Sequence, residues 1–453
     1  MQHISDQVNT NSNLTRRSFL KQTAAIAGIA TFLPGLSLAN SPNSRLQHAS
    51  IGVGGMGWSD LNSILNGGAT DIVAICDVDA NNLAKAAQKL PNARKYRDWR
   101  ELLEKEADKI DSVNVSTPDH THAPIAFSAV SLGKHVYCQK PLTHTVYEAR
   151  QLTLAARKAN VVTQMGIQIH ADTTYRTAAA IIQRGAIGKI KEWHSWQGSA
   201  WPGGGRPEGQ DPVPAQLDWD KWIGVAPMRP YKNGIYHPVR WRGWRDFGSG
   251  VMGDFACHIF DPVFTALELG HCLSVRTEGP DADKETFPAW QITHFTFPGT
   301  KYTAEKTING TWHNGSKRPS RDLVPMPAEY RLPGAGSIII GREGVMVLPH
   351  WAGPQLYPLE KFKGYNRPKV KSVNHYQQWV DACLGKGKAE ADFDYSGPLT
   401  ETAQLGNLGI NFPGQTLKWD APNFKITNIP QANKHLHKKY RRGWEIDGLS
   451  LNG

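Results

Sequence analysis

The hexapeptide Gly52-Val53-Gly54-Gly55-Met56-Gly57 constrains this chain more than any other stretch. It satisfies G-x-G-x-x-G, follows the strand-like run HASIGVG and opens the helical pattern MGWSDLNSILNG. Asp77 stands 20 residues past Gly57, at the end of the next apolar run, DIVAICD. Gly-rich turns are common, but between a strand and a helix, with an acid at that distance, the motif is a dinucleotide fingerprint. Gly52 permits the tight turn, Gly54 lets backbone approach a pyrophosphate, and Gly57 lets helix and strand pack closely. Gly55 and Met56 complete the turn, where unpaired amides and about half a positive charge face phosphates. Asp77 can accept from ribose hydroxyls and would repel a 2′-phosphate. No Arg follows it in DVDANN, so NAD is expected over NADP.

Around this motif, residues 46–168 alternate short apolar runs with helical patterns: ANNLAKAAQKL, RDWRELLEK, IDSVNVS, HAPIAFSAVSLG, KHVYCQK, TVYEARQLTLAARKAN and VVTQMG. Continuous apolar strands separated by helices imply a parallel sheet covered on both faces, a doubly wound α/β (Rossmann) domain. Residues 169–453 read differently. A helix (ADTTYRTAAAIIQRG) and a strand (KIKEWHSWQ) lead into an irregular stretch, 198–244, which is too long for an ordinary connection and is either functional or packed as its own layer. Then come a helix, SGVMGDFACHIFDPVFTALEL, and extended segments CLSVRTEG, AWQITHFTF and KYTAEKTI at hairpin-like spacing. GSIIIGREGVMVLP reads as a hairpin turning at 341–344, and NHYQQWVDACLG and GPLTETAQLGNLGINF as late helices. This half is expected to be an α+β domain with a largely antiparallel open sheet.

Arg16 and Arg17 precede a moderately apolar run, Thr23–Leu38, that is shorter than the roughly 20 residues a spanning helix needs. A stable membrane anchor is therefore not expected. Thr15-Arg16-Arg17-Ser18-Phe19-Leu20-Lys21 resembles the twin-arginine signal, with cleavage near Ser37-Leu38-Ala39. Residues 1–39 are accordingly read as a signal peptide, handed to the twin-arginine export machinery and leading to the periplasm or another extracytoplasmic space. That route carries folded proteins, so a dinucleotide would travel pre-bound and be retained. The five cysteines are scattered and form neither a disulfide framework nor a C-x-x-C pair. Net charge is +11 without a concentrated basic stripe, so nucleic-acid binding is not expected. The one basic block, KHLHKKYRR at 434–442, reads as a solvated C-terminal helix.

Two further elements carry chemistry. Lys140 follows an apolar strand, at the end of an open α/β sheet where ligands sit, and can hold charge beside a hydroxyl or developing alkoxide. In GVMGDFACHIFD, Asp254 and His258 lie four apart on one helix face, with Asp261 three further on. Histidine's near-neutral pKa suits a general base for a secondary alcohol; the alternative role of a lone helical histidine is packing. His120 and His122 offer only two metal ligands, and no third is identifiable, so no metal site is assigned.

Together the fingerprint, the QKP run at Gln139–Pro141 and the G-x-x-x-D-x-x-x-H helix resemble the Gfo/Idh/MocA family of sugar and cyclitol oxidoreductases, across about 50–444. The resemblance implies that Lys140, Asp254 and His258 are catalytic. It makes Thr117, Pro118 and His120, in STPDHTH, and Gln168, in MGIQIH, cofactor contacts together with Lys140. It also implies a homo-oligomer. The family usually places Glu before Lys-Pro, where this chain has Gln139. Seven of the 15 tryptophans lie between Trp193 and Trp244. Sugars present flat C–H faces to aromatic rings, so Trp201, Arg242 and Trp244 are expected at the substrate; the alternative is that the tryptophans fill the core or an oligomer interface. The implied activity is NAD-dependent oxidation of a secondary hydroxyl of a sugar or glycoside, with tightly bound cofactor. Two alternatives are a redox-assisted glycoside hydrolase, which returns NAD to its starting state, and a non-catalytic periplasmic sugar-binding protein.

Overall fold

The computed structural model describes residues 45–201, 205–281 and 283–450; the signal-like segment 1–39 lies outside them. Six strands form the first sheet: β1 (Leu46–Ile51), β2 (Thr70–Cys76), β3 (Arg94–Tyr96), β4 (Ser112–Val115), β5 (His135–Gln139) and β6 (Thr163–Gly166). Their order is β3-β2-β1-β4-β5-β6, all parallel. Helices α1 (Met56–Asn66), α2 (Ala80–Lys89), α3 (Trp99–Glu106), α4 (His122–Ser131) and α5 (Val146–Ala159) connect them. Helix starts are fixed locally. Asp79 and Asp98 cap α2 and α3 by accepting from Asn81 N and Arg100 N, and Thr145 with Glu148 forms a capping box on α5. Every residue of β4 is buried, as a strand covered on both faces must be. The strand order reverses between β1 and β4, which opens a crevice at their C-terminal ends.

The second sheet has nine strands: β7 (Ile190–Gln197), β8 (Ser274–Glu278), β9 (Gln291–Pro298), β10 (Thr307–Asn314), β11 (Ala335–Gly341), β12 (Val345–Pro349), β13 (Gln355–Tyr357), β14 (Thr416–Asp420) and β15 (Lys425–Ile426). Their order is β13-β12-β11-β7-β10-β9-β8-β14-β15; β7 and β10 are parallel and the other pairs antiparallel. After α6 (Thr173–Gln183) and the short α7 (Trp219–Ile223), helix α8 (Cys257–Leu267) lies on one face of this sheet. Phe260 of α8 meets Trp193, Phe295 and Trp312 at ring separations of 4.9, 5.8 and 5.5 Å. Helices α9 (His375–Cys383) and α10 (Phe393–Gly409) return to the first domain. Arg150 of α5 pairs with Glu401 of α10, a link between two mostly buried side chains. All five cysteines are buried as free thiols. Among the described residues, no helix is long and apolar enough to cross a membrane.

Two local expectations are corrected, the strand in KYTAEKTI and the C-terminal basic block. The strand expected in KYTAEKTI starts later, at Thr307, because the preceding residues turn: Thr303 N donates to Thr300 O at 3.1 Å and Gly299 N to Lys306 O at 2.8 Å. The stretch 198–244, by contrast, packs as its own layer, one of the two roles its length suggests: Trp219 stacks on Trp222 at 4.8 Å, and Tyr231, Tyr236, Trp241, Trp244 and Phe247 close around them. The basic block is no solvated helix. It runs irregularly across the first domain, with Lys438 Nζ 3.2 Å from Glu148 and the Tyr440 hydroxyl donating to the same carboxylate at 2.6 Å.

Candidate active site

The turn after β1 is built for a dinucleotide. Gly52 has φ 79°, and a Cβ on it would stand 2.6 Å from Ser116 O; a Cβ on Gly57 would stand 1.9 Å from Gly52 O. Neither position admits a side chain. Gly55, at φ 51°, precedes α1 with open space around it, and no side chain caps the helix at Met56. The first amides of α1 are thus presented as an anion seat. Thr117 stands beside this turn, its methyl 3.1 Å from the Cβ position of Gly52, and Pro118 follows, half-buried. Asp77 is held by Val53 N at 2.9 Å and Asp79 N at 2.8 Å. Burial raises its carboxyl above the usual range, against those two bonds and one from Asn82. With three of its roughly four acceptor positions used, the carboxylate keeps one for a ribose hydroxyl. The cradle therefore fits NAD, which Gly52, Gly54, Gly55, Met56, Gly57 and Asp77 would hold.

Lys140 leaves the end of β5, and its ammonium donates to Asp254 O at 2.7 Å and Oδ1 at 2.5 Å. Asp254 sits in a π-helical turn, Met252–Ala256, that runs into α8. Such widened turns recur at functional sites. Trp201 Nε1 donates to Asp254 Oδ2 at 3.0 Å, and Arg242 Nε lies 3.5 Å from Oδ1. Burial alone would raise the Asp254 carboxyl, but Lys140, Arg242 and the two donated bonds outweigh it and hold it below the usual range. His258, one turn on, is pushed well below its ordinary value by burial first, then by Lys140 and His350. Its imidazole is neutral at neutral pH, and its Nδ1 is buried without a hydrogen-bond partner. Asp261 turns away, bonding His170 Nδ1 and the Tyr395 hydroxyl at 2.7 Å each.

Of the residues expected from the sequence, Lys140, Asp254, His258, Trp201 and Arg242 converge. Gln168 instead joins the Asp60 network: its Nε2 is 3.1 Å from the Tyr376 hydroxyl, and Tyr376 donates to Asp60 at 2.7 Å. Two placements correct the expectation. Trp244 is buried in the aromatic core of 198–244 and donates to Ile235 O at 2.9 Å, so it packs rather than faces a substrate. The His120 ring is fully buried between Trp222 O at 3.1 Å and Phe247 O at 3.3 Å, so its side chain is a packing element too. His122 is likewise buried between Pro141 O and Thr117 O, at 2.8 Å each, and ties the Lys140 loop to the Thr117 loop.

Four polar residues escaped the sequence reading. Asp60, three positions past Gly57, anchors Gln139, Tyr376 and Ser116. Asp119, inside STPDHTH, is buried near Asp254, Arg242 and Lys140. Desolvation and then the Asp254 charge push its carboxyl up to about 7. His350, following β12, lies with its ring 6.1 Å from that of His258. Only the position of Asp119 within the motif offered a signal; Asp60, His350 and Tyr376 are brought in by the fold.

The stretch 198–244 also reaches the far side of the crevice. Backbone of 216–218 pairs with Val78–Ala80, directly after Asp77: Ala80 N donates to Gln216 O at 2.9 Å and Asp218 N to Val78 O at 3.0 Å. Arg97 bridges Val78 O and Gln216 O at 2.7 and 2.9 Å, and His237 Nε2 is 3.1 Å from Asp79.

Residues 46–167 match the family model described as oxidoreductase family, NAD-binding Rossmann fold (GFO_IDH_MocA). Residues 186–305 match that of its C-terminal alpha/beta domain (GFO_IDH_MocA_C2). Levoglucosan dehydrogenase of Pseudarthrobacter phenanthrenivorans is 27% identical over 188 residues, covering 41% of this chain and 40% of the relative. Myo-inositol 2-dehydrogenase of Thermotoga maritima is 26% identical over 174 residues, covering 38% and 48%. The chain thus spans less than half the length of the curated relatives it matches. In fold it is similar to an inositol dehydrogenase homolog from Azotobacter vinelandii, solved with NADH and myo-inositol (TM-score 0.54, 18% identity, 83% of this chain and 98% of that one). It is also similar to the WlbA dehydrogenase of Bordetella pertussis, solved with NADH and UDP-GlcNAcA (TM-score 0.57, 15% identity, 83% and 99%).

Proposed function

The chain belongs to the Gfo/Idh/MocA oxidoreductase family, and on that premise we propose that it oxidises a secondary hydroxyl of a sugar or glycoside, using tightly held NAD. One observation carries the reading: Lys140, locked to Asp254, and a neutral His258 stand together at the C-terminal edge of the parallel sheet, beside the Gly52–Gly57 turn. NAD, when bound, supplies the hydride acceptor. His258 takes the hydroxyl proton, for which a neutral imidazole with a low pKa is an available acceptor. Lys140 stabilises the negative charge growing on that oxygen. Asp254 positions the ammonium and, with Trp201 and Arg242, borders the space where the sugar lies.

Retention of NAD is supported by the 216–218 segment laid over the residues that follow Asp77. The same observation favours a second reading, a redox-assisted glycosidase whose cycle returns NAD to its starting state. Export in the folded state by the twin-arginine route, and a periplasmic place of work, rest on residues 14–40. A homo-oligomer rests on the family resemblance; light scattering on the purified protein tests it. The deciding experiment incubates the purified protein with aryl glycosides and no added NAD. Phenol release without net NADH selects the glycosidase, and a keto sugar with NADH selects the dehydrogenase. Neither product, from protein shown by mass to contain NAD, overturns both readings.

A further inference from the structure

Pro349 ends β12, and the next two residues form a corner beside the reaction centre. His350 N donates to Ala335 O at 3.0 Å and Ala352 N to Pro349 O at 3.2 Å, which pins the turn. The His350 ring stands 6.1 Å from that of His258, tilted by 38°. Its Nδ1 is 2.8 Å from the Tyr175 hydroxyl. With that phenol donating, the ring proton lies on Nε2, making His350 a hydrogen-bond donor on its other edge. Burial, then the Lys140 ammonium, lowers His350 to about 4, so the ring shares the field of the reaction centre and stays neutral.

Trp351 follows, its ring 5.6 Å from that of His350. It is 59% exposed, and its φ of 64° lies in the left-handed region, where a bulky side chain is a genuine outlier. A single exposed apolar residue on a surface is ordinary. An indole held outward by unfavourable backbone, one imidazole beyond His258, is a different matter, because such outliers cluster at ligand sites.

We propose that Trp351 and His350 form a second subsite, which takes the ring bonded to the reacting sugar: a neighbouring pyranose or an aromatic aglycone. The proposal rests on the sugar or glycoside reading above and adds that the natural substrate has two rings. The reacting ring lies against Lys140 and His258. The next ring lays its flat face on the Trp351 indole, which matches pyranose C–H faces and aromatic rings alike. The Nε2–H edge of His350 donates to the glycosidic oxygen or to an adjoining hydroxyl.

The test compares para-nitrophenyl and methyl glycosides of D-glucose, D-galactose and their 2-acetamido derivatives. Each is assayed with the NAD-loaded parent, Trp351→Ala and Trp351→Phe. In the parent, kcat/KM favours the aryl glycoside. Trp351→Ala is expected to reduce that aryl-over-methyl preference about threefold to tenfold, mainly through KM, and Trp351→Phe to keep most of it. Near-UV circular dichroism and Tm report on the fold of each variant. A preference unchanged by Trp351→Ala, equal losses on both glycosides, or no aryl preference in the parent overturns the subsite. If the parent processes no member of the panel, the sugar or glycoside reading fails and the subsite falls with it. Cellobiose against methyl β-D-glucoside then separates the two ring types: a Trp351-dependent gain for cellobiose assigns a sugar, and a gain confined to aryl glycosides assigns an aromatic aglycone.

Discussion

Gln139 donates its side-chain amide to both carboxylate oxygens of Asp60, at 2.9 and 3.1 Å. Tyr376 and Ser116 donate to the same group at 2.7 and 2.6 Å, and Asp60 has no solvent exposure. Burial raises the Asp60 carboxyl, and the three donors oppose that rise. The glutamate usual in the family at position 139 would set a second carboxylate against the first in a buried place. Gln139 is thus the complement of Asp60, and the departure is accounted for within the fold.

Gln139→Glu is therefore expected to destabilise the protein by about 1–3 kcal/mol, the cost of unmatched buried polar groups. Adding Asp60→Asn to the same chain restores most of the loss, since the amide then stands at position 60 and donates to a carboxylate at position 139. Thermal unfolding of parent, both single variants and the double variant measures the coupling. Additive losses would refute the pairing.

Lys140→Ala and His258→Ala should each lower turnover on a processed sugar by about 10²–10⁴-fold. Bound NAD, measured by mass after denaturation, should stay near the parent level, because the Gly52–Gly57 turn and Asp77 are untouched. Normal turnover by both variants would remove the proposed roles.

Asp119 gives a pH signature. Its folded-state value, about 7, lies above the ordinary carboxylate value, so the fold favours the protonated form. That contribution is complete below about pH 4 and is lost as pH rises through about 7. Asp119→Asn cannot ionise. Its stability relative to the parent should therefore climb between those limits, by at most about 1.4 kcal/mol per pH unit. Urea unfolding across that range checks the slope, and parallel curves would place the titration elsewhere.

Arg97 joins Val78 O to Gln216 O across the edge of the first domain. Arg97→Ala should loosen the 216–218 segment and speed NAD loss. Dialysis of the purified holoprotein followed by NAD quantitation is the measurement. Parent protein should keep its NAD while the variant sheds it, and equal retention would assign the segment a purely structural role.

The first domain was legible because its strands are continuous apolar runs and its helices carry capping residues such as Asp79, Asp98 and Thr145. Lys140, Asp254 and His258 were legible because each stands at a fixed place in a motif. Where side-chain chemistry serves two ends, the sequence misleads: Trp244 stacks in a core as readily as on a sugar. Asp60 and Tyr376 are 316 positions apart, and His350 reaches His258 from a different strand edge, so only the folded chain joins them.

Glu148 of α5 is buried beneath Lys438 and Tyr440, and the Arg100 guanidinium lies 3.8 Å over the Trp444 ring. This flank of the nucleotide domain is therefore covered by residues synthesised some three hundred positions later. A nascent chain paused after residue 168 would leave that flank uncovered. Burial of Glu148 and stacking of Arg100 accordingly wait for those later residues, while the Gly52–Gly57 turn and Asp77 are already in the chain.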